Sequence, residues 1–315
     1  MILHEFPDLH WLRRQVEQNF QSRQGWRGAV LPQPGWPSVI LQVEAQRVYR
    51  DQIVGPVSLF MNRKGSSLVT TGNTTTQIPY DCFFITNQQQ EYTLATDGDQ
   101  PVETFNIHFG ERFIDELYYS AVNRSEKLLE NPLSPIGTSV GFFNRLHRKD
   151  TITEQAMQRL MNVASDDTLL TDEILSELVL HLLGLHQYDL KRMHDLPPVK
   201  AATRAEIYRR LRVAVDYMYS FYHQNLALDE LAEVALLSKF HFLRLFKAAF
   251  HRTPHQFITR LRLDRARQLL QNSSQSVQSI AEQIGLGNAS SFSRLFRQQV
   301  GVYPTEYRAK VSVHV

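Results

Sequence analysis

From Ser38 to Phe109 short apolar runs alternate with turn signals. Val39-Ile40-Leu41-Gln42-Val43, Val57-Ser58-Leu59-Phe60-Met61, Cys82-Phe83-Phe84-Ile85 and Thr104-Phe105-Asn106-Ile107-His108-Phe109 have strand length. Gly55-Pro56, Lys64-Gly65, Gly72-Asn73 and Asp97-Gly98 interrupt them, and Asp97-Gly98-Asp99 reads as a hairpin turn. Strands this short, turned this often, pair with their chain neighbours, so the pattern predicts an antiparallel sandwich or barrel rather than a parallel α/β sheet. Beyond Glu111 the apolar period becomes helical. Leu175, Leu178, Leu182 and Leu185 recur at spacings of three, four and three, the apolar seam of a helix pair. Such a seam serves equally to join two copies of the chain or to pack on its own domain.

Lys191 to Thr203 contains Pro197-Pro198. Consecutive prolines stop a helix and favour extended backbone, so a linker is expected over residues 191–203. It divides an N-terminal domain over 1–190, with strands from about 20 to 110 and helices from about 111 to 190, from an all-helical domain over 204–315.

Within the second domain the chain repeats itself. Leu231-Ala232-Glu233 matches Ile280-Ala281-Glu282 at an offset of 49, whereas Arg244-Leu245-Phe246-Lys247 matches Arg294-Leu295-Phe296-Arg297 at an offset of 50. Pro254 and Phe257 find Pro304 and Tyr307 at the same second offset. The extra residue must lie in Gly285-Leu286-Gly287-Asn288, where a turn can absorb it. Each copy, about 228–250 and 277–300, has the pattern of a helix-turn-helix. Its first helix buries Leu228, Leu231, Ala232 and Ala235, or Val277, Ile280, Ala281 and Ile284, and the small alanine lets a second helix cross closely. Gly285 supplies the freedom that the tight turn needs; Leu236 stands in its place in the first copy and predicts a strained turn. The second helix buries Phe242, Leu245, Phe246 and Ala249, or Phe292, Leu295 and Phe296. Periodicity then leaves Phe240, His241, Leu243, Arg244 and Lys247 on the outer face of one copy, and Ala289, Ser290, Ser293, Arg294 and Arg297 on that of the other. Arginine can fork onto guanine, serine can bond several base edges, and Phe240, Leu243 and Ala289 can meet thymine methyl groups. Phe257 to Gln271, with Arg260, Arg262, Arg265 and Arg267, reads as the helix that joins the two units and spaces them about one DNA turn apart, ~34 Å.

Charge sharpens this reading. Residues 1–196 carry 17 Lys and Arg against 24 Asp and Glu, a net −7, whereas residues 197–315 carry 17 against 8, a net +9. A basic domain attached to an acidic one suggests that only the former approaches a polyanion. Nowhere does an apolar run reach bilayer-spanning length, and Met1 to Phe20, with Glu5, Asp8, Arg13, Arg14 and Glu17, does not read as a secretory signal. A cytoplasmic protein with no membrane association is expected.

Ser238-Lys239-Phe240-His241 with Arg244-Leu245-Phe246-Lys247, then Arg262, Ala266, Leu269-Leu270, Ile280-Ala281, Gly285, Ser291-Phe292-Ser293-Arg294-Leu295-Phe296-Arg297, Gly301, Pro304 and Tyr307-Arg308 resemble the AraC/XylS family of transcription regulators across the C-terminal third. Carried over by position, the family's base-reading sites fall on Phe240, Leu243 and Arg244 and on Ala289, Ser290, Ser293 and Arg294. The resemblance implies a two-domain protein. Its N-terminal antiparallel strands would form a cupin-like barrel that binds a small-molecule effector, followed by an α-helical dimerisation segment. Its partners would be double-stranded DNA at adjacent major grooves, RNA polymerase and a second copy in a homodimer, and its action that of an activator. A carbohydrate is the expected effector, from the family and from Trp26, Trp36, Tyr49, Tyr80 and Tyr92, although aromatic residues in a β domain also serve as core. An N-terminal domain that only dimerises or binds a protein is the alternative, and a cupin-type enzyme fused to a DNA-binding domain a more distant one.

Catalytic chemistry finds little support. Between Val39 and Phe109 the one histidine is His108, too few for a histidine-rich metal site, and His181 and His186 point in different directions from one helix. Cys82, the single cysteine, can build neither a disulfide nor a multi-cysteine zinc site. A phosphate-binding glycine loop and a Gly-x-Ser-x-Gly elbow are both missing from the sequence. No enzyme activity, cofactor or metal is expected.

Overall fold

The computed structural model describes residues 2–6, 38–110, 113–122, 140–164, 167–197 and 200–312. Trp26 and Trp36, and the start of the expected strand region, lie outside them. The chain divides into two compact units, Met1–Asp189 and Leu190–Val315.

In the first unit β1 (Ile2–Leu3), β2 (Val39–Val54), β3 (Ser58–Lys64), β4 (Ser66–Thr71), β5 (Thr74–Pro79), β6 (Cys82–Thr86) and β7 (Glu91–His108) precede α1 (Phe113–Val122). Then come β8 (Leu146–Arg148), α2 (Thr151–Asn162) and α3 (Thr168–His194). The strands run in the order β1-β2-β7-β3-β6-β8, and β4 pairs with both β5 and β7 to give a nearly closed antiparallel barrel. Among the described residues only β1 and β2 pair in parallel. Gly72, at φ +55°, turns the β4–β5 hairpin, a left-handed position suited to glycine.

Two features depart from expectation. Asp97-Gly98 is not a hairpin turn: it lies inside β7, where the register against β2 jumps between Ala45 opposite Val102 and Arg47 opposite Asp97. The turn-like residues make a bulge, which bends a long strand without ending it. Nor is the segment after residue 111 purely helical, because Leu146–Arg148 adds a strand to β6. Three residues carry no readable period, so only pairing reveals them.

Alternation along the strands sorts side chains onto two faces. Ile40, Leu59, Met61, Phe83, Ile85, Phe105 and Ile107 pack against Ile174, Leu175, Leu178, Val179 and Leu182 of α3. The leucine seam is therefore internal core at Leu175, Leu178 and Leu182, with Leu185 partly buried against it. Arg145 and Asp189 fasten α3 further with a buried ion pair of 2.5 Å. The opposite sheet face turns polar. Ser58, Asn62, Thr86, Thr104 and Asn106 are buried there beside Phe60 and Phe84.

The second unit is helical, with α4 (Ala201–Phe221), α5 (Leu228–Val234), α6 (Lys239–Phe250), α7 (Pro254–Asn272), α8 (Val277–Gln283), α9 (Ala289–Val300) and α10 (Pro304–Ser312). Thr253 caps α7 and Pro254 occupies its first turn, the place where a missing N–H costs nothing. The expected linker is shorter than its proline pair suggested: α3 continues to His194 and α4 starts at Ala201. Leu196 is buried, and Asp195 meets His251 at 3.0 Å. Among the described residues no helix is long and apolar enough to cross a membrane.

Candidate nucleic-acid interface

The two turns are built alike. Leu236 N donates to Glu233 O at 2.8 Å and Leu237 N to Ala232 O at 2.9 Å, while Gly285 N donates to Glu282 O at 3.0 Å and Leu286 N to Ala281 O at 2.9 Å. Both pairs match at an offset of 49. The extra residue of the second copy therefore follows Leu286, and Gly287 at φ +56° takes it up. Asn288 then caps α9, its side chain accepting from Ser290 N and Ser291 N, which satisfies donors that the first turn of a helix leaves open.

Leu236 confirms the strain expected of it, with φ +52° where the second copy has Gly285 at +77°. A left-handed leucine costs roughly 1–2 kcal/mol. Arg210 Nη1 donates to its carbonyl at 3.2 Å and helps hold the turn. At Gly285 no side chain would fit, because an added Cβ would lie 2.1 Å from the carbonyl oxygen of His223. The turn of the second unit thus rests on the loop after α4.

Both second helices present the outer faces that periodicity assigned. Phe240, His241, Arg244 and Lys247 are exposed and Leu243 is partly buried. In α9 Ser290, Arg294 and Arg297 are exposed, while Ala289 and Ser293 are partly buried. Arg244 and Arg294 take no ion-pair partner among the described residues. Arg297 is held differently: its Nη1 donates to the Tyr303 hydroxyl at 2.7 Å, and its guanidinium stacks 4.6 Å from that ring. The inner faces bury Phe242, Leu245, Phe246 and Ala249, and Phe292 and Phe296; Leu295 is only partly buried.

The four arginines of the connecting helix are placed differently from one another. Arg262 turns inward, donating to Tyr222 O and Gln224 O at 2.7 Å each. Burial lowers the pKa of Arg265 to about 10. Arg260 and Arg267 both approach Asp264. Arg262 thus braces the connecting helix against the loop after α4, while Arg260 and Arg267 pair within the helix and stay at least partly exposed. Periodicity cannot tell a bracing arginine from a free one, since the partners are carbonyls of a distant loop.

A family model described as a helix-turn-helix domain matches residues 231–310. This domain is similar to the helix-turn-helix domains of AraC/XylS-type transcriptional regulators. It is 41% identical over 95 residues to the MmsAB operon regulatory protein of Pseudomonas aeruginosa, covering 30% of this chain and 31% of that relative. This alignment thus spans about a third of the relative's length. The raffinose operon transcriptional regulatory protein RafR of Pediococcus pentosaceus is 29% identical over 217 residues, 69% of this chain and 71% of its own. Among solved structures, the DNA-binding domain of AdpA in complex with a target DNA is 28% identical and covers 33% of this chain and 94% of that one, with a TM-score of 0.32. In this domain Leu236, singled out in the sequence for its turn and not for the outer face, is 70% exposed, and Phe240 is 85% exposed. The signal was present as a leucine standing where the second copy has glycine.

Proposed function

We propose that this protein is a sequence-specific transcriptional regulator that lays α6 and α9 into successive major grooves of double-stranded DNA. The observation that carries the reading is the repeated outer face: Arg244 and Lys247 recur as Arg294 and Arg297 at an offset of 50, on helices exposed in the same way. Within these faces Phe240, His241, Leu243, Arg244 and Lys247, with Ala289, Ser290, Ser293, Arg294 and Arg297, contact bases and phosphates. Selection of duplexes from a random pool by the full chain tests this. One enriched site is expected, with affinity falling steeply as salt rises. Arg244→Ala and Arg294→Ala should each cost about 1–3 kcal/mol and relax base preference within one half-site. Equal binding of selected and random duplexes would refute sequence reading.

A second site supports regulation by an effector. On the inner face of the barrel, Asn62 Oδ1, Thr86 Oγ1, Thr96 Oγ1 and Asn106 Nδ2 are buried without a hydrogen-bond partner among the described residues, and buried polar groups seek partners. Phe60 and Tyr92 meet edge to face there, with ring centroids 5.0 Å apart. Ser58 Oγ lies 2.8 Å from His108 Nδ1, and burial lowers the pKa of His108 to about 4, so its imidazole is neutral. Hydroxyls, amides, a neutral imidazole and an aromatic ring suit an uncharged, hydroxyl-rich small molecule such as a carbohydrate better than an ion. A thermal-shift comparison of neutral sugars, fatty acids and aromatic acids tests the choice, because a ligand of the folded state raises its melting temperature. A shift by a sugar that Asn106→Leu abolishes is expected; a shift by fatty acids alone would reverse the assignment. Such a ligand would alter how α6 and α9 are presented, and so couple the effector to activation through RNA polymerase. A homodimer in the cytoplasm completes the reading.

A further inference from the structure

The two units share their basic positions but not their central ones. At the offset of 50 that aligns Arg244 with Arg294, Phe240 stands opposite Ser290 and Leu243 opposite Ser293. The same two helix positions are apolar in the first unit and hydroxylic in the second. Leu236 extends the apolar side. It and Phe240 are the two most exposed large apolar side chains of this unit, at 70% and 85%, and Leu236, at φ +52°, lies in the turn that leads into α6. Phe240 is the second residue of α6, and the N-terminal residues of a recognition helix are those that meet base edges.

Exposed apolar surface costs solubility unless something covers it. Here the rim is cationic: Arg244 and Lys247 are exposed on the same helix, next to the polar ring of His241. A rim of that charge suits a phosphate-lined groove better than an apolar protein surface. In the major groove the apolar feature available is the 5-methyl group of thymine. Insertion of an aromatic wedge between base steps belongs to minor-groove binders instead.

We propose that the two units read DNA by different chemistry. The first detects thymine methyl groups through Leu236, Phe240 and Leu243, and the second detects hydrogen-bonding edges through Ser290 and Ser293. The proposal rests on the reading of α6 and α9 as recognition helices, and it adds which base feature each one senses.

Thymine and deoxyuridine differ only by the methyl group, so their exchange isolates the contact. The full chain is first used to select its duplex site from a random pool, and the half-site of each unit is assigned by where Arg244→Ala and Arg294→Ala relax preference. Thymines of one half-site at a time are then replaced by deoxyuridine. In the first half-site affinity should fall about four-fold for each methyl group buried; in the second it should change less than two-fold, roughly within what one weak contact contributes. Phe240→Ser with Leu243→Ser, which copies the second unit onto exposed and half-exposed positions, should remove the difference between thymine and deoxyuridine while the fold, followed by circular dichroism, persists. Equal affinity for both bases in the first half-site, or a first half-site without thymine, overturns the proposal and leaves DNA reading intact. Failure to enrich any duplex instead overturns the DNA reading itself.

Discussion

Gly285 sits against the main chain of His223 so closely that a methyl group on its Cα would lie 2.1 Å from the His223 carbonyl oxygen. Backbone cannot give way as a flexible side chain does, and φ of +77° adds strain for any L residue. The contact fixes the second helix-turn-helix unit on the loop that leads into the first, and Arg262 holds that loop from the connecting helix.

Gly285→Ala should therefore lower the stability of the second unit by at least about 2 kcal/mol and weaken DNA binding with it. Leu236→Gly provides the contrast. Its left-handed backbone is relieved, while the unfolded chain gains freedom, so stability should change by no more than about 1 kcal/mol. Urea unfolding of both variants decides; equal losses would mean that the steric account of Gly285 is wrong.

The leucine seam makes a prediction opposite to that of a dimer interface. Leu178 and Leu182 are buried to within 1%, so Leu178→Glu should cost more than about 4 kcal/mol and abolish the folded barrel domain. Leu180, half exposed on the same helix, should accept glutamate within about 0.5 kcal/mol. Circular dichroism melts and soluble yield separate the two. A folded, soluble Leu178→Glu protein would restore the seam to an intermolecular role.

His108 confers a pH dependence of known sign. Its folded pKa lies near 4, below the ordinary 6.5, because burial disfavours the charged ring. Between these values the unfolded chain binds the extra proton, so this contribution is fully present above pH 6.5 and is lost as pH falls towards 4. It amounts to at most about 3 kcal/mol, and less in proportion to the solvent that still reaches the ring. His108→Gln should flatten the slope of stability between pH 7 and pH 5 in urea titrations; an unchanged slope would place the effect elsewhere.

The segment from Leu190 should fold by itself, since residues 190–315 form one compact unit. A fragment that starts there keeps Arg192 stacked 5.0 Å from the Phe250 ring and Asp195 paired with His251. One that starts at Pro197 loses both and buried Leu196. The longer fragment should unfold at higher urea than the shorter, and both should bind the selected duplex. Equal midpoints would show that these residues add no stability.

The sequence by itself determined the elements whose signal is local and repeated. Two turns of related chemistry, two helices with the same inner apolar positions and the charge step near residue 197 needed no coordinates. Helical periodicity alone separated Arg244 from Leu245 and Arg294 from Leu295, outer from inner. Tertiary structure decided what depends on distant partners. Leu178 and Leu182 carry a seam that could have faced either way, until burial of the barrel's apolar face chose for them. Nothing local to Arg262 points to the carbonyls of Tyr222 and Gln224 that it bonds, because the fold brings them from a distant loop. Asp97-Gly98 has the residues of a turn, yet pairing with β2 makes it a bulge. Asn62, Thr86 and Asn106, scattered along the chain, become one polar lining only when the strands are set in register, because side chains that share a sheet face are brought together by pairing and not by proximity in sequence.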